Sequence, residues 1–287
     1  MFNIAVKQEE YLIYILKDIE NDSRLEIVPE KGGIVTNWKI QGQNILYLDQ
    51  ERFKNPSLSV RGGIPVLFPI CGNLPENIFY FEDKKYILKQ HGFARDLPWK
   101  VIGQSHSKSA KIILSLKSNQ ETLEVYPFEF ELIFSYELLG KKLIIEQSYE
   151  NKSNKKMPFS TGFHPYFYCG NKDKLKLNIP ATEYQNKTGD KTFSFDGNLD
   201  YNSPEIDIAF TKLQGNKALF TDEKRDLTVK VKYDDFFSTL VFWTLEGKEY
   251  ICLEPWSSPR NSINTKEQLK YLQPQEIFHT QIEIEVS

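Results

Sequence analysis

The chain has 287 residues, 40% of them apolar and 14% aromatic, and a formal net charge of −3. That apolar share supplies a sizeable core, and the length suits one large all-β domain. Lysines and arginines are dispersed among acids, so no basic field attracts a nucleic-acid backbone.

Residues 1–10 carry Glu9 and Glu10 and no apolar run, which does not read as a secretory signal. The longest apolar run, Ile64 to Cys71, is too short to span a bilayer and contains two prolines, so no membrane partner is expected. Cys71, Cys169 and Cys252 form no CxxC pair; a reduced, cytoplasmic protein with small buried thiols is the expectation.

Along the chain the pattern is strand after strand. Tyr11 to Leu16 and Arg24 to Val28 are short β-rich runs separated by a polar turn. Ile34 to Ile40 resumes after Lys31-Gly32-Gly33, and Lys111 to Leu116 is a further strand. Phe128 to Leu138 sets Phe128, Phe130, Leu132, Phe134, Tyr136 and Leu138 against Glu129, Glu131, Ile133, Ser135 and Glu137. This alternation buries one face and leaves the other mostly wet. Leu139-Gly140-Lys141-Lys142 then turns the chain into Leu143 to Tyr149, a predicted hairpin. Leu175 to Ile179, Leu227 to Tyr233, Thr239 to Trp243, Ile251 to Glu254 and Ile282 to Val286 continue the series. One or two short helical turns near Lys266 to Tyr271 are the only helix expected, and Asn186 to Ser203 reads as a long exposed loop. These elements predict one all-β domain over residues 1–287, a large two-layer antiparallel sandwich.

Four segments depart from plain β patterning. Ser160 to Tyr168 holds His164, one of four histidines, before Pro165 and among small and aromatic residues. Pro165 fixes its own φ and biases His164 towards extended backbone. An imidazole in an apolar wall suits proton transfer, and equally suits packing. Arg61-Gly62-Gly63-Ile64-Pro65, running on to Phe68-Pro69, pairs glycines where backbone is unusual or closely approached. Gln90-His91-Gly92-Phe93-Ala94-Arg95 leads to Leu97-Pro98-Trp99. Leu253-Glu254-Pro255-Trp256 ends an apolar strand with a carboxylate beside an indole, a setting that raises a pKa as a general base requires.

Plainer roles stand beside each: a surface cation for Arg61, a solvated strand-end carboxylate for Glu254. His106 and His279 lie in a polar loop and a terminal strand and are given no role. No HxH or HExxH spacing, GxxxxGK[ST] loop or nucleophile elbow is present, so neither metal nor nucleotide is implied.

Taken together, these segments resemble the aldose 1-epimerase (galactose mutarotase-like) superfamily, and within it the glucose-6-phosphate 1-epimerase branch. The matching pieces are Arg61-Gly-Gly-Ile-Pro, Gln90-His-Gly-Phe-Ala-Arg95, His164-Pro-Tyr-Phe, and Glu254-Pro-Trp leading into Pro259-Arg-Asn. Leu272-Gln-Pro-Gln-Glu276 is similar to the closing Pro-Gly-Glu turn, with Gln275 where glycine is usual. The resemblance runs from about Arg24 to the C-terminus.

It implies a large antiparallel β-sandwich with a sugar in a cleft across one sheet, and no cofactor. Glu254 would take the proton of the anomeric hydroxyl while His164 protonates the ring oxygen, opening the ring to the aldehyde. Arg61, Gln90, His91 and Arg95 match positions that hold substrate, the two arginines lying near the phosphate in the sugar-phosphate branch. Relatives use an aspartate after the catalytic histidine, and Pro180-Ala-Thr-Glu-Tyr-Gln-Asn-Lys187 offers none. The partner implied is a small sugar or sugar phosphate. The alternative is a non-catalytic carbohydrate-binding or regulatory domain, against which the pairing of His164 with Glu254 counts.

Overall fold

The computed structural model describes residues 1–55 and 58–287. Phe130–Leu139 and Lys142–Asn151 form the predicted hairpin, in register from Phe130↔Asn151 to Leu139↔Lys142. The alternation has the consequence its spacing requires: Phe130, Leu132, Phe134, Tyr136 and Leu138 are fully buried, while Glu131, Ile133 and Glu137 keep partial exposure. Ile277–Val286 pairs with the other edge of Lys142–Asn151, and the eight-stranded sheet continues to Leu175–Asn178 at one side and Lys100–Ser105 at the other.

A second eight-stranded sheet has Thr239–Leu245 and Tyr250–Trp256 at its centre, and the N-terminal strands from Phe2–Gln8 to Gln43–Asn44 make a third sheet of five. The two large sheets meet through aromatic side chains, Phe134 against Phe163 at 6.0 Å between centroids and Phe167 against Phe220 at 5.1 Å. Each such side chain taken out of water contributes about 1.5–3 kcal/mol. Surface ion pairs such as Lys111–Glu146 contribute about 0–1 kcal/mol. Apolar burial between the sheets therefore dominates, and the all-β sandwich follows from it.

Tyr250–Trp256 matters most for the site, because all seven of its residues are buried. Period two divides them: Ile251 and Leu253 join the main core, while Tyr250 and Cys252 join a separate aromatic cluster and Trp256 packs with Leu67 and Cys71. A polar residue on that second face, Glu254, is thereby held beneath aromatic cover.

Three expectations need correction. Lys266 to Tyr271 holds no helix: the helix is Ser262–Thr265, Lys266 closes it in left-handed backbone (φ 68°), and Lys270–Leu272 is a strand paired with Met157–Phe159. Gln50–Lys54 and Gln120–Val125 are further short helices, started by Asp49 and Asn119 side chains accepting the N–H of Arg52 and Thr122. Such caps stand alone in sequence and leave no periodic signal over one or two turns. Within Asn186 to Ser203, Thr192–Ser194 is a strand paired with Glu183–Asn186, so part of the loop is a hairpin. Gln275, standing where the turn motif has glycine, adopts φ 63°.

Candidate active site

The site grows out of strand register. Across the second large sheet Asp207 pairs with Trp243, Trp243 with Cys252, and Cys252 with Tyr166; one rung on, Val241 pairs with Glu254. His164 lies between the pairings Gly162↔Trp256 and Tyr166↔Cys252, which puts it opposite Glu254 on the same face. Two residues 90 positions apart in sequence thus become neighbours through antiparallel pairing. His164 Nε2 is 3.4 Å from Glu254 Oε1, and Trp256 Nε1–H donates to Glu254 Oε2 at 3.1 Å. The imidazole stacks on Tyr166 (centroids 4.6 Å, planes 5° apart) and meets Trp243 edge-on at 5.7 Å. Its Nδ1 is buried without a hydrogen-bond partner.

Burial sets the electrostatics. It is the largest influence pushing the His164 imidazole down to about 3, with Arg95, Arg260 and Arg61 adding to the depression. Burial likewise pushes the Glu254 carboxyl well above its ordinary range; Asp207 adds to this, and Arg260 and Trp256 oppose it. The raised carboxyl agrees with the expectation from an apolar strand end. Both shifts favour the neutral forms, an imidazole without its second proton and a protonated carboxyl. Burial therefore favours one proton for the pair, on Glu254, while the cleft is free of substrate.

Two loops close the rim, each shaped by glycine. A Cβ on Gly63 (φ 66°) would stand 2.2 Å from the Val35 carbonyl oxygen, so the Gly62-Gly63 pair lets the chain pass against the N-terminal sheet. Arg61 emerges from it with its guanidinium 5.8 Å from the Trp243 ring centroid. Gly92 (φ 69°) lets the other loop lie on Phe68, where a Cβ would come within 2.2 Å of the carbonyl oxygen. His91, itself at φ 65°, accepts the Gly72 N–H on Nδ1 at 3.1 Å, and burial with the nearby Arg95 holds its pKa well below the usual range. A neutral His91 with Nδ1 accepting carries its proton on Nε2, available as a donor. Arg95 donates to the Gln90 carbonyl oxygen at 2.9 Å, and its Nε is buried without a partner.

Arg61, Gln90, His91, Arg95, His164 and Glu254 all line one cleft of about 220 Å³. A larger hollow of about 620 Å³ lies over the N-terminal sheet but holds none of the six. The aldose 1-epimerase family model matches residues 18–285. The chain belongs to the aldose 1-epimerase family.

It is similar to the Slr1438 protein of Synechocystis sp. PCC 6803, at 50% identity and a TM-score of 0.95, covering 100% of this chain and 99% of that one. A galactose mutarotase-like protein from Clostridium acetobutylicum shares the fold, with a TM-score of 0.85 at 21% identity over 100% of this chain and 98% of that one. A relative from Cenchrus ciliaris named "Putative glucose-6-phosphate 1-epimerase" is 25% identical over 78% of this chain and 72% of its own length. The fold is the galactose mutarotase-like β-sandwich.

In this epimerase-family chain the cleft also holds Asp207, Glu205, Lys187, Trp243 and Arg260. Residues 180–187 hold no aspartate, and the one that lines the cleft is Asp207, in Glu205–Phe210. Arg260, whose guanidinium covers the Trp256 ring at 5.1 Å, ion-pairs with Asp207. Lys187 lies 3.1 Å from Glu205 and 3.4 Å from Asp207, and Trp243 Nε1–H donates to Glu205 at 2.9 Å. Arg260 is given no role from the sequence alone, although it lies in the Pro259-Arg-Asn motif, the signal that points to it, whereas Asp207 has no motif around it. Only the register Asp207↔Trp243↔Cys252 brings it in. Trp256 lines the cleft, whereas Phe93 stacks on Phe130 in the core (5.9 Å, 19°).

Proposed function

We propose that the protein is an aldose 1-epimerase that interconverts the α and β anomers of a hexose, with hexose 6-phosphates as its favoured substrates. The observation that carries the reading is the buried His164–Glu254 pair, 3.4 Å apart at the base of a polar cleft. A binding module needs no such acid–base pair.

When sugar enters, the proton shared by the pair moves from Glu254 to His164. Glu254 then takes the proton of the anomeric hydroxyl as His164 gives its own to the ring oxygen, the C1–O5 bond breaks, and the open-chain aldehyde forms. That step leaves a neutral carboxylic acid and a neutral imidazole, the protonation state that burial favours. The aldehyde turns about C1–C2, and the ring closes on either face with the roles reversed. No proton is exchanged with solvent, which suits a pair held out of water.

His91 Nε2–H and the Asp207 carboxylate hold hydroxyls. Arg61 and Arg95 support the phosphate reading: among the described residues neither has a carboxylate within ion-pair distance, whereas Lys187 and Arg260 are already paired. Two guanidiniums without a carboxylate partner among the described residues, at one rim, suit a dianionic phosphate. The test follows anomerisation of freshly dissolved α-glucose and α-glucose 6-phosphate by NMR, with and without protein. Acceleration of both, greater for the phosphate and reduced towards the free-sugar value in Arg95→Ala, is expected. No acceleration of any aldose or sugar phosphate overturns the enzymatic reading.

A further inference from the structure

Cys252 takes no part in the chemistry proposed above, yet it shares the catalytic face of Tyr250–Trp256 with Glu254. One ligand atom each from His164, Cys252 and Glu254, a nitrogen, a sulfur and an oxygen, lie within 4.8 Å of one another, and all three residues are buried. For three atoms that close, some point lies no more than about 2.8 Å from all of them, against zinc bonds of about 2.0–2.3 Å to these donors. Side-chain shifts of well under an ångström per ligand therefore close a coordination shell.

The donor set is selective. A thiolate with an imidazole favours zinc-like cations and disfavours Mg²⁺ and Ca²⁺, which need oxygen shells. Thiolate and carboxylate together balance a dication, so no net charge is buried by the complex. A three-residue shell leaves a fourth position for water, the arrangement of open rather than structural zinc sites. The guanidiniums of Arg95 and Arg260, close enough to act on His164, oppose a dication and weaken its hold. Binding is accordingly reversible. In the free protein burial favours the thiol of Cys252 and the protonated carboxyl of Glu254, so a cation held by thiolate and carboxylate displaces both protons to solvent.

We propose that His164, Cys252 and Glu254 form a binding site for one thiophilic divalent cation, Zn²⁺ above all, and that the ion blocks sugar turnover by occupying the acid–base pair. The inhibitory half rests on the function proposed above; the binding half does not.

The experiment uses the full chain with Co²⁺ as a spectroscopic probe and Zn²⁺ by calorimetry. Expected are one equivalent of Co²⁺ with a thiolate-to-cobalt charge-transfer band, its displacement by Zn²⁺, and loss of mutarotation in step with occupancy, reversed by a chelator. Cys252→Ser abolishes the band, weakens Zn²⁺ more than about tenfold, and leaves metal-free turnover unchanged. His164→Asn, which keeps the thiol, also abolishes the band, and Cys169→Ser retains it. A band absent from the unsubstituted protein, or surviving in Cys252→Ser, overturns the site. Zinc bound at Cys252 with turnover unaffected overturns the inhibition. Should the protein turn over no sugar at all, the cobalt band decides the metal site separately.

Discussion

At the scale of single residues, the decisive feature is that burial favours the neutral form of both His164 and Glu254, and so one proton for the pair. His164 is depressed to about 3 and Glu254 raised well above the usual carboxylate range. The competent state carries one proton on the pair. It gains a second only as pH falls through the depressed histidine value, and loses its one proton only as pH rises through the raised glutamate value. Catalysis should therefore show no acid limb at the ordinary histidine value of about 6.5. We expect kcat/KM for α-glucose, which has no group of its own titrating in this range, to stay level from about pH 5 towards neutrality, and a steep fall between about pH 7 and 6 contradicts the shared-proton account. The 6-phosphate adds its own second ionisation at about 6. Glu254→Gln and His164→Asn each remove one end of the relay. Each should lower kcat by about 10²–10⁴-fold, the usual worth of general acid–base catalysis, with KM changed far less. A variant that keeps more than about half of the original kcat removes that residue from the mechanism.

At the scale of elements, the cleft is a sheet face with two loops laid against it, and the sequence reveals these parts unequally. The loops are legible because glycine is demanded where backbone meets backbone: Gly63 against Val35 and Gly92 against Phe68. His164 and Glu254 stand out as breaks in apolar runs, each before a proline. Packing and solvated roles fit those breaks equally, and their acid–base assignment comes only from the resemblance to the epimerase family. Asp207 does not stand out, since Glu205–Phe210 is a six-residue strand whose polar positions look like any wet face. Its place in the cleft is a product of pairing with Thr239–Leu245, which sequence spacing does not encode. The short helices are hidden for a similar reason, Gln50–Lys54 being started by one capping side chain and Gln120–Val125 by the reciprocal pair Asn119 and Thr122. The glycine argument has a measurable consequence. Gly63→Ala places a methyl group on a carbonyl oxygen at positive φ, and should cost about 1–3 kcal/mol in urea unfolding. It should also raise KM, because Arg61 is displaced, and lower kcat, because the Gly63 carbonyl oxygen accepts the N–H of Tyr166, on which His164 stacks. A fully stable Gly63→Ala protein with unchanged KM refutes the role given to this turn.

At the scale of the whole molecule, one guanidinium ties the three large sheets together. Arg225 donates from Nε to Asp222 Oδ2 at 2.7 Å, from Nη1 to the Asn44 carbonyl oxygen at 2.7 Å, and from Nη2 to the Tyr168 carbonyl oxygen at 2.6 Å. Asp222 belongs to the first eight-stranded sheet, Asn44 to the N-terminal five-stranded sheet, and Tyr168 to a strand paired with Tyr250–Trp256. The Tyr168 ring also lies under the guanidinium at 5.1 Å. Only the fixed fork of arginine reaches three acceptors in this way; a lysine offers one point charge. Asp222 is almost fully buried, so removing its cation leaves an uncompensated charge in the interior. Arg225→Met should destabilise the protein by about 3–5 kcal/mol. Asp222→Asn in the same chain should recover part of that loss, because the buried charge goes with it. If the clamp joins the sheets into one folding unit, as the single-domain reading of residues 1–287 proposes, unfolding of the unsubstituted protein is one transition, coincident by circular dichroism and tryptophan fluorescence. Arg225→Met then moves both midpoints together. Separate transitions in the unsubstituted protein speak against the single unit. An Arg225→Met protein within about 1 kcal/mol of the original shows that apolar contact between the sheets suffices without the clamp.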